Sequence, residues 1–141
     1  MNSVEFLEQI KRITKEIKRQ SEKVQDCYFA CLPASGGASE RVQASKNVHS
    51  LEDKIVKYDH EKEKLERLKF KRIELKHTIM NELEKLDDWL QFEVMYGLYI
   101  ELFNMIEVSK RVDMDHKYLY KVKKNALKRF EEIYKGEGVK A

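Results

Sequence analysis

Residues 104–130, "NMIEVSKRVDMDHKYLYKVKKNALKRF", determine how the carboxy-terminal part of the chain is expected to fold. Asn104 is a residue type that often precedes a helix, and Glu107 follows it at the three-residue interval of a capping box. Apolar residues then recur at helical spacing on one side of a short helix. They are Met105, Val108 and Val112. The segment therefore predicts a short helix with one buried face.

A second, longer helix is predicted after a tight turn. The run from Asp113 to Asp115 interrupts the first helix, and Asp115 is well placed to cap the next one. The apolar side of this final helix comprises Leu119, Val122, Ala126, Phe130 and Ile133. The lysines on its opposite side are Lys117, Lys121, Lys124 and Lys128. No acidic residue occurs from His116 to Phe130, so no residue of this stretch neutralises them.

Two helices joined by a short turn, the second basic on its outer face, have the layout of a helix-turn-helix unit. In that layout the second helix enters the DNA major groove amino end first. The residues predicted to contact base edges are His116, Lys117, Tyr120 and Lys121. Those predicted to lie near phosphates are Lys123, Lys124 and Lys128. The alternative is that the lysines complement the helix dipole and keep the protein in solution, and periodicity leaves both interpretations open.

The amino-terminal part of the chain has the periodicity of a coiled coil. The seam of the first helix is formed by Phe6, Ile10, Ile13, Ile17, Gln20, Val24 and Cys27, at alternating spacings of four and three residues. Gln20 either marks the register of the helix pair or is simply a tolerated polar residue, and we favour the second interpretation. Pro33 and the Gly36–Gly37 pair are expected to end this helix.

A second periodic segment is predicted over residues 48–86, with Asn47 or Ser50 as its N-cap. Its apolar line consists of Leu51, Ile55, Tyr58, Leu65, Leu68, Leu75, Ile79, Leu83 and Leu86. Lys62 and Arg72 interrupt this line. At 1.5 Å per residue the helix would be roughly 58 Å long, too long for one compact core. We therefore expect an antiparallel hairpin with the first helix and a homodimer through that hairpin, although a hairpin within one chain would give the same periodicity.

A less polar segment follows the long helix and can anchor a small core. Asp88 is its expected N-cap, with Gln91 at the capping-box interval, and its apolar residues are Trp89, Phe92, Val94, Met95, Leu98 and Tyr99. The predicted fold is all-α, a long helical hairpin or coiled coil followed by a small helix-turn-helix domain. The predicted segments are a hairpin over 1–86 with a linker at about 32–47, a helix-turn-helix domain over 87–136 and a flexible tail over 137–141.

Composition agrees with long helices, since 38% of residues are charged, 42% are hydrophobic and one is proline. The net charge of +3 is too small to indicate a polyanion partner by itself. No segment approaches the roughly 20 apolar residues of a membrane span, and no signal peptide is recognisable, so we expect a cytoplasmic protein without a membrane partner. Cys27 and Cys31 are expected to be reduced and lack the further ligands that structural zinc requires. We predict no metal, no cofactor and no enzymatic activity, because no phosphate-binding glycine loop or positioned nucleophile is recognisable.

Residues 99–130, "YIELFNMIEVSKRVDMDHKYLYKVKKNALKRF", resemble sigma-factor region 4 and its relatives. The family pattern is "Y-x-E-G", a Ser or Thr cap, "E-I-A-x-x-L-G-x-S" and then "x-x-V-x-x-x-x-x-x-A-L-K-x-L". The positions in register are Tyr99, Glu101, Asn104, Glu107, Val108, Ser109, Val112, Asp115, Leu119, Ala126, Leu127 and Lys128. Leu102 and Asp113 stand where the family has glycine, and Ser109 stands where it has alanine. Asp is among the residues that adopt the left-handed conformation of such a turn.

The segments "ERVQAS" and "LEKLDD" and the long charged helix between them extend the resemblance to phage-encoded, sigma-region-4-like regulators of late transcription from prophages of Gram-positive bacteria. The resemblance implies promoter recognition, or recruitment of host RNA polymerase to a phage promoter. The leading hypothesis is a transcription regulator whose carboxy-terminal unit binds double-stranded DNA and whose helical hairpin supplies either dimerisation or a contact with host RNA polymerase. The alternative is a coiled-coil interaction module that binds RNA polymerase or another phage protein without touching DNA.

Overall fold

The computed structural model describes residues 1–33 and 44–138 of the chain. Its helices are, in order, α1 (Ser3–Leu7), α2 (Gln9–Cys31), α3 (Ala44–Leu83), α4 (Trp89–Met95), a π-helical turn (Tyr96–Ile100), α5 (Met105–Val112) and α6 (His116–Gly138). No strand occurs among these residues, and the predicted all-α class is confirmed. Within the described ranges, no helix combines the length and the apolar character needed to cross a membrane.

The bounds of α3 differ from the prediction. The helix begins at Ala44, so Asn47 and Ser50 both lie inside it and neither is its N-cap. Residues 44–47 contain neither proline nor glycine, and nothing in this stretch stops a helix from extending toward the amino end. At the other end the helix closes at Leu83, where backbone N–H groups bond three residues back, including that of Leu86 to the Leu83 carbonyl. The Gly36–Gly37 pair and the rest of 34–43 lie outside the described residues.

The chain divides into two compact units. One consists of Met1–Ile13 and Arg72–Ala141, and the other is Thr14–Lys71. The domain boundary predicted at residue 86 stays a prediction. The first compact unit includes the end of α3, from Arg72 onward. Helix α6 also extends two residues into the segment predicted as a tail, and residues 139–141 lie outside the described part of the chain.

The amino terminus belongs to the core of the first unit. Phe6 of α1 stacks on Phe130 of α6 with ring centroids 6.2 Å apart, and its ring lies 5.4 Å from that of Tyr134. The Tyr134 hydroxyl donates to the Met1 backbone carbonyl across 3.1 Å. The buried residues of this cluster are Leu7, Ile10, Ile79, Leu83, Leu86, Met95, Ile100, Ala126 and Phe130. The sequence assigned Phe6 and Ile10 to a coiled-coil seam and did not reveal their contact with the carboxy-terminal helix.

A second cluster in the same unit holds α4, α5 and α6 together. Its buried members are Val94, Met105, Val108, Leu119 and Val122, packed against Leu90, Leu98, Phe103 and Val112. Each of the three helices contributes one apolar stripe, as the spacing predicted for α5 and α6. The outward side of α6 is therefore fixed by the burial of its inward side.

The second unit contains a buried polar contact between α2 and α3. Gln20 is buried, and its Nε2 donates to the backbone carbonyl of Glu61 across 2.9 Å and to the Glu61 carboxylate. This hydrogen bond holds the pKa of Glu61 below its usual value. Glu61, not Lys62, is thus the polar residue in the apolar line of α3. Gln20 has a specific partner, so our preference for a merely tolerated residue was wrong, and the register interpretation agrees with the contact.

Candidate nucleic-acid interface

The start of α5 has the capping box that the sequence predicts. The Asn104 side chain accepts from the Glu107 backbone N–H across 2.8 Å, and the Glu107 carboxylate accepts from the Asn104 backbone N–H across 3.2 Å. Two N–H groups that a helix start leaves without partners are satisfied in this way. Asp88 likewise caps α4 by accepting from Leu90 and Gln91, so both predicted N-caps are confirmed.

Two turn residues adopt a left-handed backbone conformation. Leu102 has φ 59° and Asp113 has φ 55°, and they are the non-glycine residues with positive φ in the described part of the chain. A residue other than glycine adopts this conformation at a cost of roughly 1–2 kcal/mol. Both positions are those where the sigma-region-4 pattern has glycine. The backbone thus takes, at both of these positions, a conformation that glycine adopts most easily.

Ser109, the third departure, is satisfied locally. Its hydroxyl donates to the Ile106 backbone carbonyl across 2.6 Å, within α5 itself. The side chain is half-buried beside the apolar stripe. A serine in place of alanine therefore leaves no polar atom of this side chain without a partner at the helix surface.

Arg111 connects α5 to the turn that precedes it. Its guanidinium forms ion pairs with Glu101 and, across 3.9 Å, with Glu93. The guanidinium also lies 5.1 Å from the centre of the Phe103 ring. A planar cation that meets two carboxylates and an aromatic face is held in one orientation. Arg111 has no distinguishing signal in the sequence, because its partners become neighbours only through the fold.

Gly97 lies close against α5. A Cβ built on it would lie 2.8 Å from Val108 Cγ2 and 2.9 Å from the Arg111 Nη2 atom. The π-helical turn therefore packs against α5 at a distance that only glycine permits. This turn and the left-handed Leu102 together bring the chain from α4 into α5.

Helix α6 begins at His116 after the predicted cap. Asp115 accepts from the Lys117 backbone N–H across 3.3 Å, which confirms its role as N-cap. The Nδ1 atom of His116 lies 3.4 Å from the same carboxylate. Asp113 and Asp115 are both exposed beside this helix start, although the Asp115 carboxylate is engaged by its own helix.

The lysines of α6 form an exposed row opposite the buried side. Lys117, Lys121, Lys124 and Lys128, hereafter the α6 lysine row, are all exposed. None of the four forms an ion pair with a described residue. The buried side of the helix consists of Leu119, Val122, Ala126 and Phe130. Four ammonium groups on one side, without neutralising partners, produce a positive surface suited to phosphate.

The other three predicted contact residues have two different environments. His116 and Tyr120 are exposed, Tyr120 by 56%. Lys123 is half-buried on the flank of α6 and lines a small depression together with Leu7, Glu8, Lys11, Leu98, Tyr99 and Leu102. Burial raises the pKa of Tyr99, and the Glu8 carboxylate adds to this rise. Lys123 is thus set apart from the α6 lysine row. Tyr118, which is not among the predicted contact residues, is also exposed near the amino end of α6.

Comparisons of the chain with protein-family models, with curated proteins and with solved structures find no match. The features of the described residues that bear on function are the surface of α6 and the turn before it. The chemistry available on this surface is charge and hydrogen-bond donation by ammonium groups, with aromatic and imidazole side chains at the amino end of the helix.

Proposed function

We propose that the chain is a DNA-binding transcription regulator in which α5, the turn at Asp113 and α6 act as a helix-turn-helix unit. The observation that carries this proposal is the exposure of the α6 lysine row without an ion pair to any described residue. Ordinary solvated helices mix both signs of charge, as α3 does. A row of one sign opposite a buried stripe is the arrangement expected of a helix that faces a polyanion.

Duplex DNA fits this surface because its phosphates carry closely spaced negative charges. Each lysine that neutralises a phosphate releases a condensed counterion, so affinity falls steeply as salt rises. Lysine ammonium groups read guanine less rigidly than bidentate arginine does. We therefore expect modest discrimination between sequences and a large electrostatic share of the affinity.

The amino end of α6 is the part proposed to contact base edges. His116, Lys117, Tyr120 and Lys121 lie in its first two turns and are exposed. Lys124 and Lys128, further along, are proposed to contact phosphates. Lys123 is half-buried on the flank of α6, so it would contact a phosphate only where the DNA backbone passes that flank. The Asp115 carboxylate accepts a hydrogen bond from the backbone of α6, and the positive end of the helix dipole offsets part of its charge there.

In this proposal the hairpin formed by α2 and α3 supplies dimerisation or a contact with host RNA polymerase. Support comes from the order of contacts within Thr14–Lys71. Gln20 meets Glu61, whereas Tyr28, later in α2, lies 5.9 Å from Tyr58, earlier in α3. Contacts that run in opposite directions along two helices are those of an antiparallel pair.

The second candidate is an interaction module that binds RNA polymerase or another phage protein without touching DNA. Exposed apolar side chains of the second unit favour it, among them Tyr28 (48% exposed), Phe29 (56%) and Val56 (67%). Clusters of exposed apolar residues often mark protein interfaces. Capture of polymerase by the chain, together with no shift of duplex DNA at low salt, would support this candidate over the first.

The proposed function is tested by duplex binding, measured as fluorescence anisotropy at low salt. The test variant is Lys121→Glu with Lys124→Glu, and the matched control is Lys54→Glu with Lys69→Glu on the mixed-charge helix α3. Both pairs change the net charge equally and replace exposed side chains. We expect the α6 pair to abolish binding and the control to leave most of it. Equal binding by both variants would contradict the proposal.

A further inference from the structure

A second unneutralised basic surface lies on α2, in the stretch "KRITKEIKR" at residues 11–19. Its cations are Lys11, Arg12, Lys15, Lys18 and Arg19, hereafter the α2 basic face. All five are exposed, and none forms an ion pair with a residue that the structure describes. Ile13 and Ile17, between them, are buried. The helix therefore turns its apolar side inward and its cations outward.

Acidic residues do not divide this face. Glu16 is the acid within the stretch, and helical geometry places it on a flank, away from the line through Lys11, Lys15 and Lys18. Glu8 precedes the face and is half-buried beside Tyr99. The next acid along the helix is Glu22, where the basic face ends. Two turns of α2 thus present five exposed cations and one exposed carboxylate, that of Glu16, and the surface is positive overall.

Lys11, the first cation of the α2 basic face, lies beside the flank of α6. Lys11 and Lys123 line the same depression within the unit that contains Met1–Ile13. Lys123 lies on α6, the helix that carries the proposed DNA contacts. Lys123 is half-buried and does not belong to the α6 lysine row. It lies instead next to Lys11, the first cation of α2.

We propose that the α2 basic face is a second phosphate-binding surface, which contacts the sugar-phosphate backbone of duplex DNA without reading bases. The inference rests on the proposed function, duplex binding by this chain. Lys11, Lys15 and Lys18 follow one another at about 6 and 4.5 Å along the helix axis, from a rise of 1.5 Å per residue. Duplex DNA carries a charge for about every 1.7 Å of its axis, so several of these cations can face phosphates together. Such contacts fix the position of a protein on DNA and add affinity without sequence selectivity.

A lipid surface fits α2 less well than a nucleic acid does. A helix that lies in a membrane interface inserts a free apolar face between the lipids. The apolar side chains of α2 in this stretch, Ile10, Ile13 and Ile17, are buried in the protein and are not available for insertion. The exposed groups of this stretch are therefore mainly separate cations, which can pair with the separate phosphates of a nucleic acid.

The test measures duplex affinity as a function of salt for four proteins, using the full chain and fluorescence anisotropy. They are the parent, Lys15→Ala with Lys18→Ala on α2, Lys121→Ala with Lys124→Ala on α6, and Lys54→Ala with Lys69→Ala on α3 as the matched control. The α2 pair is expected to reduce the slope of log affinity against log salt by about two, with the control near the parent. Helical circular dichroism and thermal midpoints show whether each variant is folded, and all substituted side chains are exposed.

The outcomes separate the two proposals. If only the α6 double variant has a reduced slope of log affinity against log salt, the α2 inference is overturned and the proposed function stands. Loss in the α2 pair alone supports the α2 surface and overturns the assignment of α6. No duplex binding by the parent at low salt overturns both. In a parallel experiment, binding to phosphatidylserine vesicles that the α2 pair loses, with duplex binding unchanged, would identify a membrane contact and also overturn the inference.

Discussion

The Gln20 amide and the Glu61 backbone carbonyl are joined across 2.9 Å inside the unit formed by Thr14–Lys71. A buried polar contact of this kind fixes which residues of two helices face each other, because any shift along the seam leaves polar groups without partners. Other residues of this seam, such as Ile17 and Leu65, are buried and apolar, and such residues can pack in more than one alignment of the two helices. The contact between Gln20 and Glu61 selects one alignment.

The pairing predicts how stability depends on pH. The Gln20 hydrogen bond lowers the pKa of Glu61, so the ionised carboxylate contributes stability above its unfolded value of about 4.3. That contribution is lost as pH falls through the lowered folded-state pKa. Gln20→Leu should therefore lower the urea midpoint at about pH 7, and the difference from the parent should narrow below about pH 4.

The exposed Glu66→Gln variant is the control for this pH effect, because it removes a carboxylate from the same helix outside the seam. It should behave like the parent throughout the titration. A Gln20→Leu protein whose urea midpoint differs from the parent by the same amount at both pH values would show that the Glu61 carboxylate has no part in the effect.

Gly97→Ala should destabilise the unit that contains α4, α5 and α6. The added methyl group would lie within 3 Å of Val108 and Arg111, so the turn or the guanidinium must move. Overpacking of this kind costs about 1–3 kcal/mol. Gly136→Ala is the matched control, because nothing lies within 4 Å of its Cβ position, and the change should stabilise α6 by about 0.5–1 kcal/mol. Denaturant unfolding measures both, and equal behaviour of the two variants would refute the close packing.

Leu102→Gly should be more stable than Leu102→Ala, because both lose the same apolar side chain and only glycine relieves the left-handed conformation. That conformation at φ 59° costs a residue other than glycine about 1–2 kcal/mol, and the greater freedom of glycine in the unfolded chain offsets about 0.5–1 kcal/mol of this. The expected difference between the two variants is up to about 1 kcal/mol in the free energy of unfolding, measured by denaturant unfolding. If the two variants are equally stable, the backbone at this position carries no strain.

Phe6→Ala tests whether the amino terminus is part of the carboxy-terminal core. Phe6 packs against Phe130 and Tyr134, so its truncation should cost about 2–3 kcal/mol. Amide hydrogen exchange should also quicken in α6, which α1 contacts. Val4→Ala, at an exposed position of α1, is the control. Unchanged exchange in α6 with Phe6→Ala would show that the two ends of the chain fold independently.

Local rules predicted much of the secondary structure. The N-caps Asp88, Asn104 and Asp115 were found from residue type and spacing, because a cap depends on atoms within one turn. The buried side of α6 followed from periodicity for the same reason. The start of α3 was missed because a plausible cap residue does not prevent a helix from beginning earlier.

Contacts between distant residues were not predictable from the pattern. The stacking of Phe6 on Phe130 joins positions from opposite ends of the sequence, and an apolar residue at a seam spacing does not specify its partner. Arg111 reads as an ordinary exposed cation until the fold brings Glu93 and Glu101 to it. Lys123 shows the same limit, since its place on the flank of α6 depends on what the amino-terminal helices cover.

The most direct measurement for the central claim is a salt titration of duplex binding by Lys121→Ala and by Lys124→Ala, each compared with the parent. Each variant removes one ammonium group from the α6 lysine row and should reduce the slope of log affinity against log salt by about one, with the protein still folded. Slopes equal to that of the parent in both variants would contradict the claim that α6 faces the phosphates of DNA.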